Sequence, residues 1–315
     1  MTILIYVVIY NSSLEMIFKR SKLVNMIREN KKKIDETSTK IKSIFQARIY
    51  KKYINNTDLK KDVNISFTLS SDGVSFFSNG RSIWPTFLSI NEIPIFERFK
   101  FKNILIPIIY YGKNPPSVDI VLNPLIKELN SLYNGFICNG IFVKCYLYGL
   151  IFDLPARAKY LCMRSYTGFF CCSDYYDKGS YLIEHKKMYF PFDHNDIEAN
   201  HSPRRYNDTK NILMNIQNGE MGKFGILNVS PFFYLNYFSP FENNIIDIMH
   251  CIFINISKNM LNLMFDSSNS KKDSYIRPYD QKQLSSILAN QKLPDTFLRK
   301  IKYVNIKCTQ FGLFI

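Results

Sequence analysis

The amino-acid sequence predicts an α/β fold with a mixed sheet, and three patterns support this class. Apolar and polar residues alternate over residues 63–70, which is the period of a half-buried strand. Apolar residues recur at helical spacing from Leu122 to Tyr133, and Gly135 follows as a stop signal. Residues 141–152 form an apolar run interrupted by one lysine, which is typical of a strand covered on both faces.

Three more strands are predicted around these elements. The first strand ends at the turn Ser71-Asp72-Gly73, and residues 74–78 are expected to be its hairpin partner. Two further strand-like runs cover residues 84–93 and 104–111, each bounded by proline, glycine or charge. The strand at residues 63–70 and these two longer runs, without the short hairpin partner, give three strands before the helix at residues 122–133.

The fourth strand, residues 141–152, is followed by a second helix. Asp153 ends the strand, and Pro155 is placed to open a helix over residues 156–163. Residues 168–172 are predicted to form a fifth short strand. The order is three strands, helix, strand, helix, strand. This is the ribonuclease-H-like arrangement, in which the first and fourth strands are parallel neighbours at the centre of the sheet.

Two aspartates stand at the ends of these two strands. Asp72 follows the first strand and Asp153 follows the fourth. Sites in open α/β sheets form at the carboxyl ends of strands, so the two carboxylates are expected to approach each other. Oxygen ligands of this kind suit Mg²⁺. The alternative is that each aspartate is a turn residue at a strand end, which is a common role.

The charge balance points to a polyanionic partner. The chain has 315 residues, with 41 Lys+Arg against 26 Asp+Glu and a net charge of +15. Such a field favours nucleic acid or an anionic membrane surface. The alternative is codon bias, because Lys, Asn, Ile, Tyr and Phe all have AT-rich codons. The seven cysteines are irregularly spaced, which excludes a disulfide scaffold and favours a reducing compartment inside the cell.

The first 62 residues are interpreted as a basic N-terminal arm. They include three consecutive lysines at 31–33 and a weakly periodic helical segment. A solvated helical arm is one reading, and a DNA-contacting or nuclear-import segment is the other. Residues 2–10 are apolar but far too short to span a membrane, and no signal-peptide pattern surrounds them. We therefore expect a buried strand there, or the ragged start of a mispredicted gene, and a soluble protein with no membrane partner.

From residue 63 onward the sequence resembles the catalytic region of CACTA (En/Spm-type) DNA transposases, with the animal branch the most similar. The similarity runs through most of the chain in the family's order. The segments that carry it read SDGVSFFSNGRSIWPTFLSINEIPIFERFKFKNILIP, PLIKELNSLYNGF, IFDLPARAKYLCM, GFFCCS and PFFYLNYFSPFENNIIDIMHCIF.

The resemblance implies a DDE/D-type enzyme that cuts DNA and joins the ends to a target, in the nucleus and with Mg²⁺ or Mn²⁺. Its DG motif falls on Asp72 and its DxPA motif on Asp153, which makes them the first two catalytic, metal-binding acids. Its DxMH motif falls on Asp247 and His250, which would support the site. DNA is the implied partner, and a homo-oligomer on transposon ends is expected.

The implied domain order is a catalytic core whose first part is residues 63–173, an α-rich insertion over residues 174–300, and the start of a final core helix at residues 301–315. That final helix would carry the third acid, but the sequence has Gln310 there. The amide keeps the shape and loses the negative charge. The sequence also stops at Ile315 inside this helix, so we expect a truncated, inactive or weakly active enzyme.

A second departure from the family concerns cysteine. The family follows its second acid with a Cys-x-x-Cys pair, but here Cys172 has Tyr175 at the partner position. Half of a thiolate site is missing, so zinc is not expected. These departures leave two other readings open: a catalytically dead, transposase-derived DNA-binding remnant, and a fragment that does not fold stably.

Two more pairs of residues are candidates. Asp247 and His250 are three residues apart at the start of an apolar helix, so the carboxylate can orient the imidazole. The alternative is a helix N-terminus with a packed histidine. Arg204 and Arg205 are expected to contact DNA phosphates, and the alternative for them is a surface loop.

Overall fold

The computed structural model of the chain forms two compact units, Met1–Ile245 and Ile246–Ile315. The structure describes residues 2–6, 9, 13–34, 40–41, 43–75, 80–184, 186–191, 202–235 and 237–290. Gln310 lies outside these ranges.

The described residues form ten strands and nine α-helices. The strands are β1 (Ile3–Tyr6), β2 (Ile65–Ser71), β3 (Ser82–Ile90), β4 (Ile104–Gly112), β5 (Phe136–Cys138), β6 (Ile141–Val143), β7 (Cys145–Phe152), β8 (Ser180–Leu182), β9 (Lys187–Tyr189) and β10 (Asn244–Ile246). The helices are α1 (Glu15–Phe18), α2 (Ser21–Lys31), α3 (Arg48–Asn56), α4 (Ile95–Arg98), α5 (Val118–Asn134), α6 (Leu154–Tyr160), α7 (Tyr206–Gln217), α8 (Lys258–Phe265) and α9 (Pro278–Ala289). A π-helical segment, Met249–Ser257, leads into α8.

A six-stranded mixed sheet organises the first unit, in the order β1-β4-β3-β2-β7-β10. β2 pairs antiparallel with β3 and parallel with β7. β4 pairs antiparallel with both β3 and β1. The mixed α/β class is therefore confirmed, and so is the parallel pairing of the first and fourth predicted strands.

The hairpin after β2 differs from the prediction for residues 74–78. Val74 makes only an isolated bridge to Ile83, and the hairpin partner of β2 is β3. Residues 76–79 lie outside the described part of the chain. The alternating pattern of residues 84–90 therefore belongs to the strand that pairs directly with β2.

The predicted fifth strand at residues 168–172 was wrong, because this segment forms turns. The Phe170 ring packs edge-on against Phe224, and the Phe170 carbonyl accepts a hydrogen bond from the Arg204 side chain. The neighbour of β7 is β10 instead. Gly149 allows this close approach, because a Cβ there would lie 2.4 Å from Cδ1 of Ile245.

The helices α1–α3 contribute side chains to the hydrophobic core, so the described part of residues 13–62 is not a solvated arm. The α3 hydroxyl of Tyr50 donates to Glu92 (2.7 Å), which is buried beside β2 and also accepts from the main chain and hydroxyl of Ser66. This segment contributes the following buried apolar side chains: Leu14, Ile17, Phe18, Leu23, Val24, Ile27, Phe45, Tyr50, Tyr53, Ile54 and Leu59.

The apolar N-terminal segment forms a strand, as expected, but it lies at the sheet edge rather than in the interior. Leu4 and Ile5 of β1 are 40% and 49% exposed. Within the described ranges, the longest apolar helical stretches fall short of what crossing a lipid bilayer requires.

Candidate functional site

The parallel pairing of β2 with β7 determines where Asp72 and Asp153 lie. In the register of the two strands, Ser70 is opposite Ile151. Asp72 and Asp153 each lie two residues further along, so both follow the carboxyl end of their strand at one edge of the sheet. Neighbouring strands are about 4.8 Å apart. We call this region, defined by Asp72, Asp153 and the strand ends that carry them, the acidic edge.

Asp72 is exposed and directly follows the last residue of β2. Its Oδ1 accepts a hydrogen bond from the main-chain N–H of Gly73 (2.7 Å). Gly73 lies directly against the Trp84 ring, since a Cβ there would be 2.4 Å from the indole. The indole N–H of Trp84 in turn donates to Ser82 (2.9 Å). The segment that carries Asp72 therefore fits only glycine at its next position without moving Trp84.

Asp153 is half-buried and caps α6. Its Oδ1 accepts a hydrogen bond from the N–H of Ala156 (2.8 Å), and Pro155 occupies the first turn of the helix. This is the local strand-end role that was the alternative interpretation of the residue. A carboxylate has about four lone-pair sites, so one N–H bond does not exhaust its capacity to bind a cation.

A lysine and a tryptophan that the sequence patterns did not single out lie beside the acidic edge. The Lys159 ammonium of α6 is 5.9 Å from the centre of the Trp84 ring, which itself covers Gly73. Burial lowers the pKa of Lys159 below its ordinary value. The sequence does contain one feature that could have drawn attention to this position: Trp84 is the one tryptophan of the chain.

The donor chemistry of the acidic edge suits a hard divalent cation, because both side chains offer carboxylate oxygens. Within the described ranges there is no cluster of three or more His, Cys, Asp or Glu side chains able to hold a metal ion. Gln310, at the expected position of the third acid, lies outside those ranges. The acidic edge thus supplies two acidic side chains, and the third position stays a prediction.

Arg204 was predicted to contact DNA, and this was wrong because its side chain is inside the protein. It is 2% exposed. Its guanidinium stacks on Tyr176, with 4.5 Å between the guanidinium carbon and the ring centre. It donates to main-chain carbonyls of Phe170, Cys172, Tyr175 and Phe224. We call Arg204 with these carbonyls and Tyr176 the arginine cluster.

Arg205 has the opposite environment. It is exposed and occupies the N-cap position of α7. Its side chain also lines a cavity, together with Lys52 of α3. The prediction that Arg205 contacts phosphate therefore remains, whereas that for Arg204 does not.

The Cys-x-x-Cys pair of the family is incomplete here, because Tyr175 occupies the position of the second cysteine. The Tyr175 carbonyl accepts from Arg204, and Tyr175 also bridges to Pro203. Burial raises the pKa of the Cys172 thiol, which disfavours the thiolate that a zinc ion needs. The residues around Cys172 therefore do not fit a zinc site.

In the second unit, Asp247 and His250 make the predicted contact. The Nδ1 of His250 is 2.6 Å from Oδ2 of Asp247, and the His250 main-chain N–H donates to the other carboxylate oxygen (3.1 Å). Asp247 thus caps the π-helical segment and orients the imidazole at once. A supporting role in catalysis stays a prediction.

The comparisons with known proteins agree with the resemblance found in the sequence. No curated protein matches this chain. The family model described as "Transposase family tnp2" matches residues 46–217, which is more than half of the chain. The matched region contains Asp72, Asp153 and both arginines, together with β2 and β7, the paired strands that bring the two acids to one edge. The protein is a member of transposase family tnp2, consistent with its CACTA-type motifs.

Proposed function

We propose that this chain carries the ribonuclease-H-like core of a DDE/D-type transposase, which cleaves DNA and joins the ends to a target. The observation that supports the proposal is the parallel β2–β7 pairing, which brings Asp72 and Asp153 to one edge of the sheet. The sheet order β4-β3-β2-β7 matches the arrangement expected for such a core. β10 occupies the position beyond β7 that a fifth strand requires.

In this proposal Asp72 and Asp153 hold Mg²⁺ or Mn²⁺ through their carboxylate oxygens. A metal bound there would activate the attacking oxygen and stabilise the leaving one during phosphoryl transfer. The protein contributes by positioning the two carboxylates. The Gly73 N–H orients the Asp72 carboxylate, and the α6 N-terminus orients that of Asp153.

The third acid determines how active the chain is. Gln310 stands at its expected position and carries no negative charge, so we propose weak or absent catalysis. In the same proposal residues 63–173 are the first part of the core, residues 174–300 are the insertion, apart from β10, which belongs to the core sheet, and residues 301–315 are the start of the final core helix. The chain acts in the nucleus on DNA as a homo-oligomer.

Plasmid nicking tests the enzymatic proposal. The purified chain is incubated with supercoiled plasmid and Mg²⁺ or Mn²⁺, beside Asp72→Asn, Asp153→Asn and the control Asp280→Asn, which changes an exposed aspartate of α9. Asparagine retains a side-chain oxygen able to cap α6, so the fold is preserved. We expect slow metal-dependent nicking that both edge substitutions abolish and the control retains. Equal metal-dependent nicking by all four folded proteins would refute the proposed site, and no nicking by any of them would favour the catalytically dead alternative.

A second candidate function is a catalytically dead DNA-binding protein derived from a transposase. Two observations favour it: the neutral Gln310 and the net charge of +15. Binding of this kind is electrostatic, so its affinity falls steeply with salt. Duplex binding that persists in EDTA, without any metal-dependent nicking, would distinguish this second function from the enzymatic one.

A further inference from the structure

A cavity between α3 and the start of α7 collects polar and cationic groups away from the acidic edge. Its volume is about 300 Å³, and all of its lining residues belong to the first unit. Lys52 comes from α3, Arg205 and Asn207 from the start of α7, and Ser239 and Glu242 from the segment before β10. Three distant parts of the chain therefore converge on one polar cavity.

The end of α7 makes the cavity attractive to anions. Arg205 is the N-cap residue, but a guanidinium has no acceptor and cannot cap the helix. The first main-chain bond of the helix runs from the Thr209 N–H to the Arg205 carbonyl (3.1 Å). The N–H groups before Thr209 have no intrahelical partner, and they stand at the positive end of the helix dipole.

The side chains of the cavity give it a net positive charge. Lys52 and Arg205 contribute two positive charges, and Glu242 contributes one negative charge. The Lys52 ammonium is 3.0 Å from the Glu242 carboxylate, with the two side chains 59% and 28% exposed. A second anion can therefore reach Lys52 from solvent while Arg205 and the helix end remain available to it.

A serine adds a donor that lacks a partner. The Ser239 hydroxyl oxygen is buried and makes no hydrogen bond with the residues that the structure describes. A buried hydroxyl without a partner costs free energy, which a ligand oxygen would recover. Positive charge, helix N–H groups and a hydroxyl donor together are the donor set that tetrahedral oxyanions bind.

We propose that this cavity binds a backbone phosphate of a DNA strand, through Lys52, Arg205, Ser239 and the N-terminus of α7. The inference rests on the proposed function in that DNA is the ligand, but it concerns binding and not cleavage. It also reassigns the phosphate contact that the sequence suggested for two adjacent arginines. Arg205 keeps that role, and Lys52 of α3 takes the place of Arg204.

Fluorescence anisotropy with a labelled duplex tests the proposal, in EDTA so that nicking plays no part. The variants are Lys52→Gln, Arg205→Gln and Glu242→Gln, with Lys210→Gln as a control for an equal change of charge at an exposed position of α7. Lys52→Gln and Arg205→Gln should each weaken binding several-fold and lower the salt slope by about 0.9. Lys210→Gln should have a clearly smaller effect.

Glu242→Gln is the decisive variant. Lys52→Gln and Glu242→Gln break the same ion pair, so any structural damage from losing that pair affects both. Their effects on a bound phosphate are opposite, because one removes an attractive charge and the other a repulsive one. We expect Glu242→Gln to tighten duplex binding. Weakening by both substitutions, or an effect of Lys52→Gln no larger than that of Lys210→Gln, would overturn the proposal.

A titration with inorganic phosphate and with deoxyadenosine monophosphate separates the possible sources of the anion. Duplex binding that depends on Lys52 and Arg205, with little heat from either small anion, supports a DNA phosphate. Binding of a small anion that Arg205→Gln abolishes, with duplex binding unchanged, would identify a free-anion site and overturn the DNA assignment. Nicking by the Asp72 and Asp153 variants tests the enzymatic proposal separately.

Discussion

The acidic edge and the arginine cluster use the main chain in opposite ways. At the edge, carboxylates near the surface accept N–H bonds, one to Asp72 and one to Asp153. In the cluster, a buried cation donates to four carbonyls. Lys31 resembles the cluster, since its ammonium donates to the carbonyls of Leu59, Lys61 and Asn64.

This difference decides which charges can serve a ligand. A carboxylate that accepts one N–H bond retains acceptor capacity for a metal ion. Arg204 is enclosed by carbonyls and aromatic rings, so its charge holds together a region with little regular secondary structure. The positive charges that remain for DNA lie at the surface, Arg205 among them. Net charge alone therefore overstates the charge available for binding.

The largest expected effect comes from removing the buried cation of the arginine cluster. Arg204→Gln leaves carbonyls of four residues without their donor, and we expect the free energy of unfolding to fall by about 3 kcal/mol. Urea unfolding followed by the fluorescence of Trp84, the one tryptophan, measures it in the first unit. The matched control Arg205→Gln should change stability by less than about 0.5 kcal/mol. Similar values for both variants would show that the cluster contributes nothing.

The second effect is a pH dependence caused by Lys31. Burial, partly offset by Glu92 and Asp62, lowers its pKa from 10.5 to about 8. Between these values the unfolded chain holds a proton that the folded chain has released, so the free energy of unfolding rises with pH. From pH 8 to pH 10, the wild type should gain about 2 kcal/mol relative to Lys31→Met.

Urea unfolding of both proteins at several pH values in this window measures that gain. Taking the difference cancels the cysteines and tyrosines that also titrate there. Lys31→Met should be less stable near pH 10, since the carbonyls of Leu59, Lys61 and Asn64 lose the two N–H donors of the neutral amine. Parallel pH curves for the two proteins would mean that Lys31 keeps an ordinary pKa in the folded chain.

The third effect concerns the third acidic residue that the proposed metal site lacks. If the third acid belongs at position 310, Gln310→Glu restores the missing negative charge and should raise metal-dependent nicking at least about tenfold, which corresponds to about 1.4 kcal/mol. The same change at Gln291 is the matched control, because it alters net charge equally at a position without an expected role. Equal rates for both variants would remove position 310 from the proposed site.

The smallest effect separates the structural role of Asp153 from its proposed catalytic one. Asp153→Ala removes the cap of α6 and should lower the free energy of unfolding by about 1 kcal/mol, whereas Asp153→Asn should cost only a few tenths. Thermal or urea unfolding of the two variants measures the difference. Loss of nicking in the stable Asn variant would then reflect the missing charge. If Asn destabilises as much as Ala, the cap depends on the charge as well.

The sequence predicted a strand correctly where the whole segment had one periodic pattern and one burial environment. The alternation before Asp72 and the apolar run before Asp153 predicted β2 and β7, and strand order predicted their parallel pairing. The strand at residues 168–172 failed because Phe170 packs in a turn under Arg204. Its replacement, β10, has three residues, too few to show a period.

Two other features depended on contacts that a linear pattern does not contain. Residues 13–62 are lysine-rich, but many of the described apolar residues between the lysines are buried in the core, and Tyr50 bonds to Glu92 across 42 positions of sequence. Arg204 and Arg205 are adjacent and chemically identical. Only the position of α7 separates them, because it directs one side chain inward and leaves the other in solvent.

The origin of the two outer strands of the sheet has a consequence for how the chain folds and how far it can be shortened. Both outer strands are recruited from far along the sequence: β1 pairs with residues 108–111, and β10 begins at Asn244, long after β7 ends at Phe152. Such long-range pairings form slowly, and until they form, β4 and β7 expose unpaired edges that favour aggregation. A polypeptide limited to the family-matched residues 46–217 lacks both outer strands. We expect it to aggregate, so a soluble fragment that keeps the whole sheet must reach from Ile3 to Ile246.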